Sequence, residues 1–198
     1  LKSFYWIQKA RFQEGRPFKG ILPRSLADGE CLWKGDCHIV GYDFWNLRAL
    51  ACLSEMAEAL GQDSRPFREA YKTYKKTVEK LLKERGFEHF PPSYEGKGTS
   101  WGNLTAIYPT QLFDPFDPRV SKTLDLERRL FVEGTITWRG RNRKAIHPYL
   151  STYITQSEII RGERNLAIEH FYSFLCHSSS TNSFPEGVYW ESRTAWGN

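Results

Sequence analysis

An all-α fold of helical hairpins is predicted from three features of this 198-residue sequence. Apolar residues recur three and four positions apart over most of its length, the spacing of one helical face. Tight turns at Gly61–Asp63 and Arg161–Gly162 join pairs of such stretches. Longer polar loops precede the first stretch of each pair, so that loop, buried helix, tight turn and exposed helix return about every fifty residues, an architectural repeat with little repeated sequence.

Residues 2–13, with Phe4, Tyr5, Ile7, Ala10 and Phe12, read as the end of a helix that Gly15 and Pro17 stop. Residues 15–42 form a long connection without a period. Its apolar content (Phe18, Ile21, Leu22, Leu26, Trp33) marks it as an ordered, functional loop. A helix over 43–60 follows, with Asp43 as its N-cap. Phe44, Trp45, Leu47, Leu50, Leu53, Met56 and Leu60 surround it, and a helix apolar on most faces is buried on most faces. Asp63 and Ser64 then cap a helix over 65–85, whose Phe67, Tyr71, Tyr74, Val78 and Leu82 lie on one side and whose lysines cover the other.

The second unit opens with residues 95–103, continues in the apolar segment Leu104–Phe113, which Pro109 shortens or kinks, and ends in a helix over 118–131 started by Asp117-Pro118. The third has a loop over 132–147, a helix over 149–161 opened by His147-Pro148-Tyr149, and an exposed helix over 163–176. Residues 177–190 are a further loop. If the buried helices pack side by side in a ring, every long loop falls at one mouth, and Asp43, Trp101, Asn103, His147, Tyr149 and Glu186 form one constellation. The short turns fall at the other end.

Seven Trp and ten Tyr bring aromatics to 15%. Flat rings of this kind line sugar sites and also fill cores. For Trp101, stacking and packing are both open, and His147 is either a ligand-facing residue or a cap. The formal charge of +5 comes largely from the lysine face of the 65–85 helix and from Arg139, Arg141, Arg143 and Lys144. One basic loop is not a nucleic-acid interface, and no nucleic-acid partner is expected. No stretch of 18 apolar residues is present, so no membrane span is expected. Cys31, Cys37 and His38 make at most a partial ligand set without zinc-site spacing, Cys52 reads as a small core residue, and neither a metal nor a cofactor is expected. There is no Gly-x-Ser-x-Gly and no phosphate-binding loop. The chain begins at Leu1 and ends on Gly197-Asn198 directly after a loop, and is read as part of a longer one.

Five motifs, in order, resemble those of the six-hairpin glycosidases, the glucoamylase-like (α/α)6 barrels. They are Gly20-Ile21-Leu22-Pro23; Tyr42-Asp43-Phe44-Trp45 leading into Leu47-Arg48-Ala49-Leu50; and Ser100-Trp101-Gly102-Asn103 with Tyr108-Pro109. His147-Pro148-Tyr149-Leu150 with Arg161-Gly162 follows, then His177-Ser178-Ser179-Ser180-Thr181 with Phe184-Pro185-Glu186. The resemblance runs from about Gly20 to Asn198. It implies that residues 1–198 are a partial catalytic domain, three hairpins or about half of a six-hairpin toroid, completed by the remainder of its own chain. It implies a glycoside hydrolase-like activity on an oligosaccharide or glycoside, with inversion by two carboxyl groups: Asp43 as acid and Glu186, or Glu191 in its place, as base. Tyr42, Trp45, Trp101, Asn103, His147, Tyr149 and Trp190 are the expected substrate-binding residues. Tyr42 departs from the family in standing where many members have Trp, and related barrels include phosphorylases and lyases. The alternative is a non-catalytic α-helical repeat scaffold that binds carbohydrate or protein, which would need no carboxylate at the mouth.

Overall fold

The computed structural model describes residues 2–24, 37–98, 100–137 and 145–196. Within them the chain forms six α-helices: α1 (Lys2–Arg11), α2 (Val40–Ala59), α3 (Arg65–Glu84), α4 (Pro118–Arg128), α5 (Pro148–Arg161) and α6 (Arg164–Leu175). The mostly-α class follows from the sequence, and so do the helices expected over 43–60, 65–85, 118–131, 149–161 and 163–176. Cys31, Leu26 and Trp33, and the basic run from Arg139 to Lys144, lie outside the described residues.

The helix ends follow local chemistry. Pro118 sits at the start of α4 behind Asp117, whose carboxylate accepts the Arg119 N–H at 2.8 Å. Gly162 closes α5 in the left-handed region at φ 73°, where a side chain would be strained. At α2 the expectation is corrected. The helix begins three residues before Asp43, and its N-cap position is Ile39. The cause is tertiary. Residues 92–94 run alongside 38–40, with Pro92 O accepting from Val40 N, Tyr94 N donating to His38 O, and a bridge between Ile39 and Ser93. That pairing aligns the backbone for an early start.

α2 packs on α3, and α5 packs on α6. Between α2 and α5 lies a single 3-10 turn, Gly102–Ala106, in contact with both. The Leu104–Phe113 segment therefore supplies one short turn where a helix was expected, and α4 covers it through Val120 and Leu124. Two helix pairs result, α2 with α3 and α5 with α6, and Val120 and Leu124 of α4 line one small cavity with Leu104 and Ala106 of the 3-10 turn. Phe44, Phe90 and Phe113 meet with ring centroids 4.5–5.3 Å apart, joining α2 to the Leu104–Phe113 segment. The greater burial expected of 43–60 holds only in part. Val40, Phe44, Leu47 and Leu50 are hidden, whereas Trp45, Met56 and Leu60 are exposed.

Five short strands were not foreseen. β1 (Phe131–Val132) and β2 (Thr135–Ile136) form a hairpin, and β3 (Ala145–Ile146), β4 (Gly187–Tyr189) and β5 (Thr194–Trp196) form an antiparallel sheet in the order β3-β4-β5. Two- and three-residue strands have no room to show a period of two.

Candidate functional site

The β3–β4 pairing gathers one part of the site. Ile146 lies opposite Val188 in antiparallel register. The residue after β3 is thus drawn toward the residues before β4. The first is His147, and Glu186 stands just before β4. The His147 Nε2 is 3.9 Å from Glu186 Oε1. His147 is the N-cap position of α5, makes no side-chain cap bond there, and is buried. Burial lowers its pKa to about 4, so its ring is neutral at pH 7. Glu186 keeps a side-chain exposure of 31%. Its loop is shaped by Ser179, whose hydroxyl accepts from Thr181 N and Ser183 N while its own N–H donates to Ser183 O.

From His147 the aromatic surface continues along α5. Its ring lies 5.9 Å from that of Tyr149, and Tyr149 meets Tyr153 one turn later with hydroxyl oxygens 2.7 Å apart. Tyr153 is half-buried against the core, and its ionisation is pushed up by burial and by its neighbours Tyr149 and Tyr108. Tyr108 was named only within the Tyr108-Pro109 motif, and Tyr153 was not among the residues expected at the site. The available signal was the Tyr149-x-x-x-Tyr153 spacing, which puts both rings on one helix face.

A second aromatic pair, Tyr42 and Trp101, meets edge-on at 5.8 Å. It stands where α2 and the 3-10 turn begin side by side. Trp101 is partly buried and packed against the core. Trp45 is 40% exposed, and Trp190 is half-buried. Asn103 does not face an opening. It is buried, its Oδ1 accepts from Trp101 N, and its Nδ2 donates to Phe90 O. Its amide holds the loop together, which corrects its expected place among residues that touch a substrate.

Asp43 also lies elsewhere than expected. Its carboxylate is 1% exposed and accepts from Leu22 N at 3.0 Å and from the Tyr74 hydroxyl of α3. Tyr94 lies beside it, and Arg11 of α1 stacks its guanidinium over the Tyr74 ring at 3.5 Å. Desolvation raises the Asp43 pKa to about 6, against the hydrogen bonds of Tyr74 and Leu22 and the charge of Arg11. The side chain points between α2 and the helices behind it. A second carboxylate–imidazole pair, Glu95 with His38, was also unforeseen: Glu95 accepts the His38 N–H at 3.1 Å and lies 2.7 Å from Nδ1. Among the described residues no group of His, Cys, Asp and Glu is placed to hold a metal ion, and no helix is long and apolar enough to cross a membrane.

No protein-family model matches the sequence, and no curated protein matches it closely enough to be informative. Two solved structures share the fold. One is a glycosidase with an alanine substitution, in complex with glucose (TM-score 0.68, 16% identity). The other is a glycosidase with tyrosine replaced by phenylalanine (TM-score 0.67, 18% identity). Each match covers 83% of this chain and 45% of the other, so the chain spans about half the length of either glycosidase. At this identity the likeness is one of fold: the chain has a glycosidase-like fold.

Proposed function

We propose that this chain is part of a glycoside hydrolase-like domain that acts on a carbohydrate. The observation that carries the reading is Glu186. It is a partly exposed carboxylate beside a neutral imidazole and an aromatic helix face, in a chain whose fold matches part of two glycosidases, one of them in complex with glucose. The pairs α2–α3 and α5–α6, with the 3-10 turn and α4 between them, are taken as about half of an (α/α)6 ring, with the other half supplied by the remainder of the same polypeptide.

Inversion at a glycosidic carbon needs a carboxylate that activates water and a protonated acid on the opposite side, about 6.5–9.5 Å apart. Glu186 is the proposed base. His147 lies beside it, with Nε2 3.9 Å from Oε1, longer than a direct hydrogen bond. Asp43 has the raised pKa of an acid but not the access, since its carboxyl is enclosed by Leu22, Tyr74 and Tyr94. We therefore assign Asp43 to the support of the site and leave proton donation to a group outside the Asp43 cluster.

The enclosure of Asp43 also favours the second reading, a carbohydrate-binding scaffold without catalysis. Turnover of a nitrophenyl glycoside panel by the complete protein separates the two. Glu186→Gln is expected to lower turnover by roughly 10²-fold or more with the fold retained. Undiminished turnover in that variant removes Glu186 as base. Sugar binding with no turnover in the unaltered protein favours the scaffold.

A further inference from the structure

We propose that Glu133 is a positioning residue: it clasps Arg193 at the tip of the β4–β5 hairpin and so fixes the segment that carries Glu186 into β4. The consequence for turnover rests on the reading of Glu186 as base given above, whereas the clasp stands on geometry alone. Glu133 is in the two-residue turn between β1 and β2, where Val132 lies opposite Thr135. Its carboxylate holds the Arg193 guanidinium with both oxygens, Oε1 accepting from Nη2 at 2.7 Å and Oε2 from Nη1 at 2.6 Å. Oε2 also lies 3.6 Å from Nε2 of His177, just past the end of α6. One carboxylate thus stands where the β1–β2 turn, the end of α6 and the β4–β5 turn meet. The Arg193 N–H donates to Tyr189 O at 2.8 Å, so the same residue closes the hairpin turn.

Both partners occupy left-handed backbone, Glu133 at φ 52° and Arg193 at φ 56°. Glycine takes that conformation without strain, and a residue with a Cβ does not. Two strained residues whose side chains meet point to side chains kept for their pairing. The anchor is rigid. Gly134, next in the turn, has φ 72°, and a Cβ there would lie 2.1 Å from Ser173 Oγ of α6, so the β1–β2 turn is pressed against that helix. The hairpin it holds has less support. β4 is tied to β3 through Ala145 and Ile146, and β5 is the edge of the sheet, with Thr194 and Ala195 exposed. Strands this short have little stability of their own. A cavity of about 500 Å³ lies among His177, Ser183, Phe184, Val188, Arg193 and Ala195, so close packing does not press the hairpin against the loop that carries Glu186. An exposed ion pair ordinarily contributes little. Here a bidentate pair closes one end of a hairpin whose other end stands next to His147 and Glu186.

The test uses the complete protein and two readouts, amide hydrogen exchange over residues 184–196 and turnover of a nitrophenyl glycoside. Glu133→Gly and Arg193→Gly each relieve the left-handed strain and remove the clasp. Both are expected to speed exchange over 184–196 about ten-fold while exchange in α3 stays as it was. Both are expected to lower kcat by about ten-fold or more with little change in KM. Glu133→Gln, which keeps the size and the strain, is expected to act in the same direction and covers the case in which a glycine variant fails to fold. The charge swap, Glu133→Arg with Arg193→Glu, is expected to recover slow exchange and kcat in part. Exchange over 184–196 that is unchanged or slower in the folded variants overturns the clasp, since relief of strain is then the whole effect. Faster exchange with kcat intact overturns the positioning role. If the unaltered protein turns over no glycoside, the hydrolytic reading fails, whereas faster exchange in the variants and its recovery in the swap still uphold the clasp.

Discussion

Gly41 of α2 and Gly102 of the 3-10 turn touch backbone to backbone. A Cβ built on Gly41 would lie 2.3 Å from the Gly102 Cα, and one on Gly102 would lie 2.6 Å from the Gly41 Cα. Neither glycine is there for an unusual φ. Each is there because a methyl group has no space, and the neighbouring atoms are backbone that cannot rotate away. The contact sets the spacing between α2 and the 3-10 turn, and with it the Tyr42–Trp101 pair.

Gly41→Ala and Gly102→Ala are each expected to destabilise the fold by about 1–3 kcal/mol, the range for an overpacked interior. The loss should be read by urea denaturation, together with a shift in tryptophan emission as Trp101 leaves Tyr42. An alanine variant at either position with unchanged stability would show that the two segments can separate freely.

Asp43 and His147 oppose each other as pH changes. The Asp43 pKa is raised to about 6 in the fold. Its contribution is therefore fully present below the unfolded value near 4 and is lost as pH rises through about 6. The His147 pKa is lowered to about 4, so its contribution is present above the unfolded value near 6.5 and is lost as pH falls through about 4. Between these limits the stability of the unaltered protein should vary little with pH from these two groups. Asp43→Asn removes one side of the balance. Relative to that variant, the unaltered protein should lose up to about 3 kcal/mol between pH 4 and pH 7, as measured by chemical denaturation across the range. A difference that does not change with pH would mean that Asp43 titrates normally.

A buried ion cluster ties α4, α5 and α6 together at the end remote from Glu186. Glu158 is fully buried, accepts from Arg128 Nε at 3.0 Å, and lies 2.9 Å from His170 Nδ1. Arg128 also pairs with Glu163, which accepts from Arg161 Nε at 2.6 Å. Arg128→Met leaves the Glu158 charge enclosed with less compensation and should cost about 3–5 kcal/mol at pH 7. Adding Glu158→Gln should restore part of that loss. A double-mutant cycle measures the coupling, and additive losses would mean that the pair contributes nothing of its own.

Large apolar side chains remain outside on α1, α2 and α6, among them Trp6, Met56, Leu60, Ile168 and Tyr172, each more than half exposed. On the half-ring reading, further hairpins cover these flanks. Residues 1–198 produced alone should then self-associate or show poor solubility, as followed by light scattering. A monodisperse, cooperatively melting monomer would count against the half-ring.

The helices were legible because their signals are local. Apolar spacing, Asp117-Pro118 and Gly162 act within a turn or two of where they stand, and α3, α4, α5 and α6 begin and end close to where those residues place them. Asp43 shows where local reading stops. As an Asp before an apolar run it has the chemistry of an N-cap, but the strand-like contact of 92–94 with 38–40 starts α2 earlier. The same carboxylate is thereby turned inward onto Tyr74 and Leu22. His147 and Glu186 were both visible as loop residues at the mouth of the repeat. Their meeting depends on the register of two strands too short to be read in advance. The Leu104–Phe113 segment is apolar enough for a helix, yet it forms one 3-10 turn in the narrow space between α2 and α5. What the sequence determined by itself was which residues are apolar, where helices start and stop, and which polar groups sit in loops, since each depends on neighbours along the chain. Which way Asp43 and Asn103 face, and which carboxylate is left near solvent, was decided only by tertiary contacts between residues about 10–60 positions apart, where burial and backbone pairing outweigh local preference.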